Sequence, residues 1–403
     1  MRIAFSPPDI SDLEIAEVVE VLKSGWITTG AKTKQFEKRI AEYCGTSRAV
    51  CLSSATAALE MTLRILGIGP GDEVITSAYT YTASASVIDH VGAKIVLVDV
   101  APGSFHMDYE KLAEAITERT KAIIPVDIGG VMCDYDAFYR AVESKKHLYR
   151  PGENEYQRLF DRPIVMADAA HSFGATYHGK KSGAVADFSC FSFHAVKNLT
   201  TAEGGAVTWR NREGLDNDEL YNKFMLWSLH GQSKDALKKL SPGSWEYDIV
   251  YPGYKCNMTD ITAAIGLAQL SRFDGLMEKR KHFVKMYDQR LLPLGIQRLK
   301  HFGGFEFEGN GHLYLTRIPG ITESKRNDII VKMAEAGVAC NVHFKPLPMH
   351  TAYQRLGFDV KDYPNAYRQY ANEITLPLHT LLQDEEVDYI AETLKAILQG
   401  RKS

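Results

Sequence analysis

The sequence predicts an α/β protein: a large first domain on a mostly parallel sheet, then a small α+β domain toward the C-terminal end. Between Ala49 and Asp168 short β-branched runs alternate with longer helical stretches, the pattern of βα units on a sheet covered on both faces. After Asn257 a helical pattern runs on to Leu291, long enough to bridge two domains. The chain has 403 residues, and a prior of roughly 150 residues per domain allows two or three.

In chain order, AVCLS leads into TAALEMTLRIL, EVITS into TASASVIDHV, KIVLVDV into DYEKLAEAI and KAIIPVD into DAFYRAVES, before PIVMADA closes the series. FSCFSF and GGAVTW add strands with no helix between them, so part of the sheet is expected to be mixed. The segment from His147 to Arg162, LYRPGENEYQRLFD at its centre, is polar and contains Pro and Gly; it reads as a surface loop inserted into one βα connection. Thr259 and Asp260 suit the cap of the long helix. From Leu292 the runs HLYLTRI, DIIVKMAEAG, VACNVHF, YRQYANEI and EEVDYIAETLKAILQG describe the small domain, closed by an amphipathic helix. The expected division is 1–257 for the large domain with an N-terminal arm 1–30, 258–291 for a linking helix, and 292–403 for the small domain.

Composition narrows the function classes. Lys and Arg number 47 against 50 Asp and Glu, a net charge of −3, with 45% hydrophobic and 24% charged residues. This lacks the basic excess of a nucleic-acid binder and the bias of a disordered tail. The six cysteines are scattered without CxxC pairing, which favours buried thiols in a reducing cytoplasm over disulfides or a metal centre. No apolar stretch reaches the roughly 20 residues of a membrane span.

The sharpest local signal is FSFHAVKNLTTAEGG, in which Lys197 follows a strand-like aromatic run and precedes a turn. Upstream, Asp168 ends the apolar run PIVMAD, so its carboxylate emerges partly desolvated at the carboxyl edge of the sheet, where open α/β sheets bind ligands. A lysine and a desolvated carboxylate converging on one crevice fit pyridoxal phosphate: the lysine forms the Schiff base and the carboxylate keeps the pyridine nitrogen protonated. SSATAAL, Ser53 to Leu59, supplies a phosphate cradle, because a strand running into small hydroxyl residues opens a helix whose free N–H groups and dipole attract an anion.

These segments, with SGWITTG, GDEVITSAYTYTAS, TKAIIPV, ADAAHSFGA, PGYKCNMTDITAAIGLAQL and NVHFKPLP in order along nearly the whole chain, resemble the DegT/DnrJ/EryC1/StrS family of pyridoxal-phosphate nucleotide-sugar aminotransferases. The resemblance implies the aspartate-aminotransferase fold (fold type I), with a seven-stranded sheet, and a homodimer with shared active sites. It implies that Lys197 carries the cofactor and moves the proton, that Asp168 pairs with the pyridine nitrogen, that His171 stands near the phenolic oxygen and that the Tyr81 ring stacks on the cofactor. Thr56, Ala57 and Ser192 are implied to hold the phosphate, with Asn257 reaching in from the second subunit. Trp26, Thr28 and His343 are candidates for the substrate rim. Retention of Lys197 separates the chain from relatives that carry histidine there and dehydrate their sugar. SGWITTG resembles relatives that aminate carbon 4 of a UDP-linked keto sugar, while relatives acting at carbon 3 share most of the other motifs; the expected amino donor is glutamate. Asp127 stands where many relatives have a histidine.

Two other readings stay open at this stage. One is a regulatory or sugar-binding protein on the same scaffold, since fold alone does not fix function. The other keeps the cofactor but performs dehydration or lyase chemistry. A yellow protein bleached by glutamate speaks for transamination, and product analysis with a keto-sugar acceptor separates the last two.

Overall fold

The computed structural model describes residues 2–233, 246–303 and 306–400. Seven strands form the main sheet: β1 (Ala49–Leu52), β2 (Glu73–Ser77), β3 (Lys94–Val98), β4 (Thr120–Ile124), β5 (Ile164–Asp168), β8 (Phe188–Ser192) and β9 (Gly205–Trp209), in the spatial order β1-β9-β8-β5-β4-β2-β3. β9 runs antiparallel to both neighbours, and the remaining pairs are parallel. Side chains alternate between the faces, as strand geometry requires. Val50, Leu52, Ile124 and Met166 join one buried cluster, while Cys51, Ile75, Ile123 and Val165 join the other. Both faces being covered, the strands read as unbroken apolar runs rather than alternating ones.

Two short ladders complete the strands. β6 (Thr176–Tyr177), β7 (Lys180–Lys181) and β11 (Phe307–Glu308) form one, and β10 (Gln297–Arg298), β12 (Tyr314–Arg317) and β13 (Glu373–Leu376) form the other. Helices Glu323–Glu335 and Asp384–Leu398 pack with the second ladder around a third core that holds Tyr314, Met333, Ile374 and Leu394. Ile3 belongs to this third core and bridges Val338, so the first residues of the N-terminal arm lie on the C-terminal unit.

The single helix expected up to Leu291 is two, Asp260–Ser271 and Phe273–Leu291, with Thr259 capping the first and Arg272 between them at φ −115°. The Arg272 guanidinium is tied to Asp9 at 2.9 Å and to Glu14 at 2.8 Å, contacts that fasten the N-terminal arm to the break.

The segment 147–162 also differs from a bare surface loop. Tyr149, Tyr156 and Phe160 are buried in the sheet core, Asn154 Nδ2 donates to Ile65 O at 2.9 Å, and Gln157 Nε2 donates to Leu66 O at 2.7 Å. Those carbonyls end the helix Ala55–Ile65, whose last turn has no partners of its own. The polar residues therefore cap a helix, and the aromatic ones fill the core beside it. Arg162, at its end, forms a buried two-pronged pair with Asp187 at 2.7 and 3.0 Å. Among the described residues no helix is long and apolar enough to cross a membrane, and no cluster of His, Cys, Asp or Glu is arranged to hold a metal ion.

Candidate active site

β5 and β8 lie side by side and end at Asp168 and Ser192. Beyond β8 the chain turns sharply, the Lys197 N–H donating to His194 O at 2.9 Å and the Thr201 N–H returning to Phe193 O at 2.9 Å, which sets Lys197 over the sheet edge. A cavity of about 490 Å³ opens there, lined by Thr56, Tyr81, Asp168, His171, Ser192, Lys197 and His343. Seven of the residues singled out from the sequence thus meet in one place.

Asp168 is buried, and Ser84 Oγ donates to its Oδ2 at 2.6 Å while the Ala170 N–H donates to Oδ1 at 3.2 Å. Burial pushes its carboxyl up; the two hydrogen bonds and the Lys197 charge oppose that. The Lys197 amine moves the other way. Burial lowers it to about 8, against the pull of Asp168, so near neutral pH a useful fraction is the free nucleophile.

β1 runs into the helix Ala55–Ile65 at the edge of the cavity. Ser54 is the N-cap of helix Ala55–Ile65, and Ser54, Ala55 and Thr56 line the cavity. Gly205 of β9 allows this turn its place, since a Cβ there would lie 2.3 Å from the Ser54 carbonyl carbon. Ala57 stands apart from the lining: its N–H donates to Ser54 Oγ at 3.0 Å and so serves the cap.

His171 is fixed in one tautomer. The Gly129 N–H donates to its Nδ1 at 3.0 Å, and burial, with the Lys197 charge, holds the ring well below its usual pKa, so it is neutral and carries its proton on Nε2. Gly129 makes that contact at φ +62°, a left-handed conformation that glycine adopts without strain. Asp127 organises the same turn. Its carboxyl accepts from Cys133 N–H at 3.0 Å and Ser172 Oγ at 3.0 Å, and burial pushes it up to about 7.

Tyr81 is 61% exposed, which removes core packing as its role and leaves its ring at the cavity mouth, 6.1 Å from the Phe344 ring. Sequence reasoning missed four further groups. Ser84 orients Asp168, and Asn198, Asn310 and His312 form a linked set. Asn198 Oδ1 accepts from His312 Nδ1 at 3.0 Å, Asn198 Nδ2 donates to Asn310 O at 3.0 Å, and Asn310 Nδ2 donates to His171 O at 2.7 Å and Phe173 O at 2.9 Å. The polar KN doublet at 197–198 was the signal available for Asn198; its partners come together only through the fold.

Trp26, Thr28 and Asn257 do not line this cavity. They form a separate group, in which Trp26 Nε1 donates to Thr29 O at 3.2 Å, Asn257 Nδ2 to Thr29 Oγ1 at 2.5 Å and the Asp260 N–H to Thr28 O at 3.1 Å. The physical cause is the anchoring of 26–30 on Asp260, whose Oδ1 also takes the Gly30 and Thr33 N–H groups.

Along nearly its whole length the chain is similar to known proteins that include sugar aminotransferases. A putative sugar aminotransferase of Streptococcus pneumoniae, Spr1654, in a PMP form, is 54% identical with a TM-score of 0.96, the match covering 99% of this chain and 100% of that one. Its PLP form is 52% identical with a TM-score of 0.96, covering 100% of both chains. The spore coat polysaccharide biosynthesis protein SpsC of Bacillus subtilis (strain 168) is 38% identical over 98% of this chain and 97% of its own. Helicobacter pylori PseC, an aminotransferase of pseudoaminic acid biosynthesis, is 28% identical with a TM-score of 0.84, covering 99% of this chain and 100% of its own. The model of one family matches residues 8–395, and on that match, with the lysine and carboxylate converging as described, the chain belongs to the DegT/DnrJ/EryC1/StrS aminotransferase family.

Proposed function

We propose that this aminotransferase moves an amino group from glutamate to a nucleotide-linked 4-keto sugar, the nucleotide being UDP, with pyridoxal phosphate as cofactor. The observation that carries the reading is Lys197, lowered to about 8, sharing one cavity with the buried carboxylate of Asp168. The residues fit the cofactor: a free N-terminal helix end at Thr56 and the Ser192 hydroxyl for the phosphate, Asp168 for a ring N–H, His171 Nε2–H for a phenolic oxygen, and the exposed Tyr81 ring as a flat face. When bound, such a cofactor supplies an electron sink for the carbon that loses its proton.

The chain's own part is proton handling and exclusion of water. Lys197 Nζ, made a weaker base by burial, would take the proton that leaves the donor carbon and pass it on within that same half reaction, and in the second half would run the transfer in reverse toward the acceptor carbon. Asp168, held by Ser84 and Ala170, would place its carboxylate against the ring nitrogen of a bound cofactor. Because one cavity serves two substrates in turn, ping-pong kinetics are expected.

Support for a two-fold dimer with shared sites comes from the position of Asn257, Trp26 and Thr28 outside their own chain's cavity. Six free cysteines support work in a reducing cytoplasm. The test is a panel of nucleotide-linked keto sugars incubated with glutamate and scored by mass for the amino product. Lys197→Ala should give none while still holding the cofactor non-covalently. Product from that variant without added amine would overturn the catalytic assignment, and a wild-type protein that binds UDP-sugars without absorbing as a cofactor complex would favour a binding module.

A further inference from the structure

His343 is held at every point but one. Its backbone N–H donates to Glu373 Oε2 at 2.8 Å, its carbonyl accepts from Tyr79 OH at 2.6 Å, and its ring is stacked on Phe5 at 5.7 Å between centroids. Nδ1 lies 2.9 Å from Thr375 Oγ1, and that hydroxyl lies 2.5 Å from Glu373 Oε1. Nε2 has no hydrogen-bond partner among the described residues, and the residue lines the Lys197 cavity. Glu373 and Thr375 sit two apart on β13, on one side of the strand, and both are fully buried. A buried carboxyl wired through a hydroxyl to a ring that lines the site and has its other nitrogen unbonded is more than a backbone clamp needs.

We propose that Glu373 and Thr375 are positioning residues for His343: through the Thr375 hydroxyl, the buried carboxyl sets which imidazole nitrogen carries the proton, and so whether Nε2 meets a bound substrate oxygen as acceptor or donor. With Glu373 ionised, Thr375 donates to Oε1 and accepts Nδ1–H, leaving Nε2 with a bare lone pair. With Glu373 protonated, Oε1–H donates to Thr375, Thr375 donates to Nδ1, and Nε2 bears the hydrogen. Passage from the first state to the second moves one proton inward: Nε2 takes it from the cavity, Nδ1 gives its own to Oγ1, and Oγ1 gives its own to Oε1. No net charge is left on the ring, which stays neutral because burial, with Lys197 beside it, lowers His343 to about 3. Burial also raises Glu373 to about 8, with the Arg326 charge opposing. The other titratable groups facing the pair are Tyr79, Cys340, His171 and His312.

The substrate oxygen rests on the function proposed above; the tautomer does not, and the test separates them. The full chain, loaded with cofactor and labelled with nitrogen-15 in histidine, is followed by NMR at pH 6 and pH 10, the His343 signals being assigned by their loss in His343→Gln. Wild type is expected to show the Nε2–H form at the lower pH and the Nδ1–H form at the higher. Thr375→Ser should do the same, whereas Thr375→Val, isosteric but lacking the hydroxyl, should show one form at both. A wild type with one tautomer throughout, or a Thr375→Val protein that switches as wild type does, overturns the proposal. Where an acceptor sugar turns over, Thr375→Val should lower kcat/KM for it at least tenfold and leave the glutamate half reaction within twofold, with recovery in Thr375→Ser; unchanged acceptor kinetics count against the relay. Absence of any acceptor turnover in wild type would instead defeat the keto-sugar reading and leave the NMR result standing.

Discussion

Ser84 donates its hydroxyl proton to Asp168 Oδ2 across 2.6 Å, and itself lies 2.8 Å from Thr80 Oγ1, so the carboxylate at the end of β5 is oriented by the first turn of the helix Ala83–His90. Ser84→Ala removes a hydrogen bond to a charged acceptor, worth about 1.5–3 kcal/mol. Asp168 is already pushed up by burial, and the variant moves it further in that direction. Cofactor affinity at pH 7 should fall about tenfold or more, and the defect should shrink at higher pH, where the carboxyl is ionised in both proteins. Absorbance titration of cofactor-free protein at several pH values checks both, and a defect that grows with pH would contradict the account.

The free amine of Lys197, not the ammonium, is the nucleophile. Capture of pyridoxal phosphate by cofactor-free protein should therefore speed up with rising pH and level off above about 8. Asp168 pulls that value upward, so Asp168→Asn should shift the midpoint down even as it weakens binding. Stopped-flow absorbance gives the midpoint in each protein. An upward shift in the variant would show that the two groups do not interact as described.

Asn310 serves three backbone groups from one side chain: it donates to His171 O and Phe173 O and accepts the His312 N–H at 2.9 Å. Asn310→Ala leaves them buried without partners, at about 1 kcal/mol or more each. A loss of about 2–4 kcal/mol in unfolding free energy is expected, measured by denaturant titration of the cofactor-free protein. Asn310→Asp should recover only the His312 contact.

Asn257→Asp should place a negative charge against the phosphate in a neighbouring subunit and weaken cofactor binding strongly. Co-expressed with Lys197→Ala, each inactive alone, it should yield about a quarter of wild-type activity, because half the randomly paired dimers are mixed and one site in each of those is intact. Mixed dimers shown to form but as inactive as their parents would place the role of Asn257 within its own chain.

The sheet was legible because apolar β-branched runs buried on two faces leave a continuous signal, and PIVMAD and FSFHAVKN mark the strand ends that carry Asp168 and Lys197. The helix break at Arg272 was not, because the residues on either side keep helical periodicity, and the carboxylates that hold the Arg272 side chain at the break, Asp9 and Glu14, are more than 250 positions away in sequence. The segment 147–162 misled for a related reason. Its composition is that of a loop, yet its aromatic residues are core and its amides cap a helix, and neither role leaves a periodic trace. Asn198, Asn310 and His312 illustrate the same limit at the site. Ordinary polar residues gain meaning only once the fold has set them in contact.

The pairing of Ile3 with Val338 also orders events during synthesis. At roughly 5–20 residues per second, a ribosome needs on the order of a minute or less to travel between them, and throughout that interval the first segment has no strand to join. Phe5, which lies against His343 and lines the cavity, waits as well. The main sheet has all seven of its strands once the chain reaches Trp209, and meets no such delay. The catalytic pocket is thus a late structure laid over an early one, closed by contacts of very high sequence separation, and such contacts form slowly. A chain interrupted before Val338 therefore has the sheet edge that carries Asp168 and Lys197 but lacks His343 and Phe344, which line the other side of the cavity.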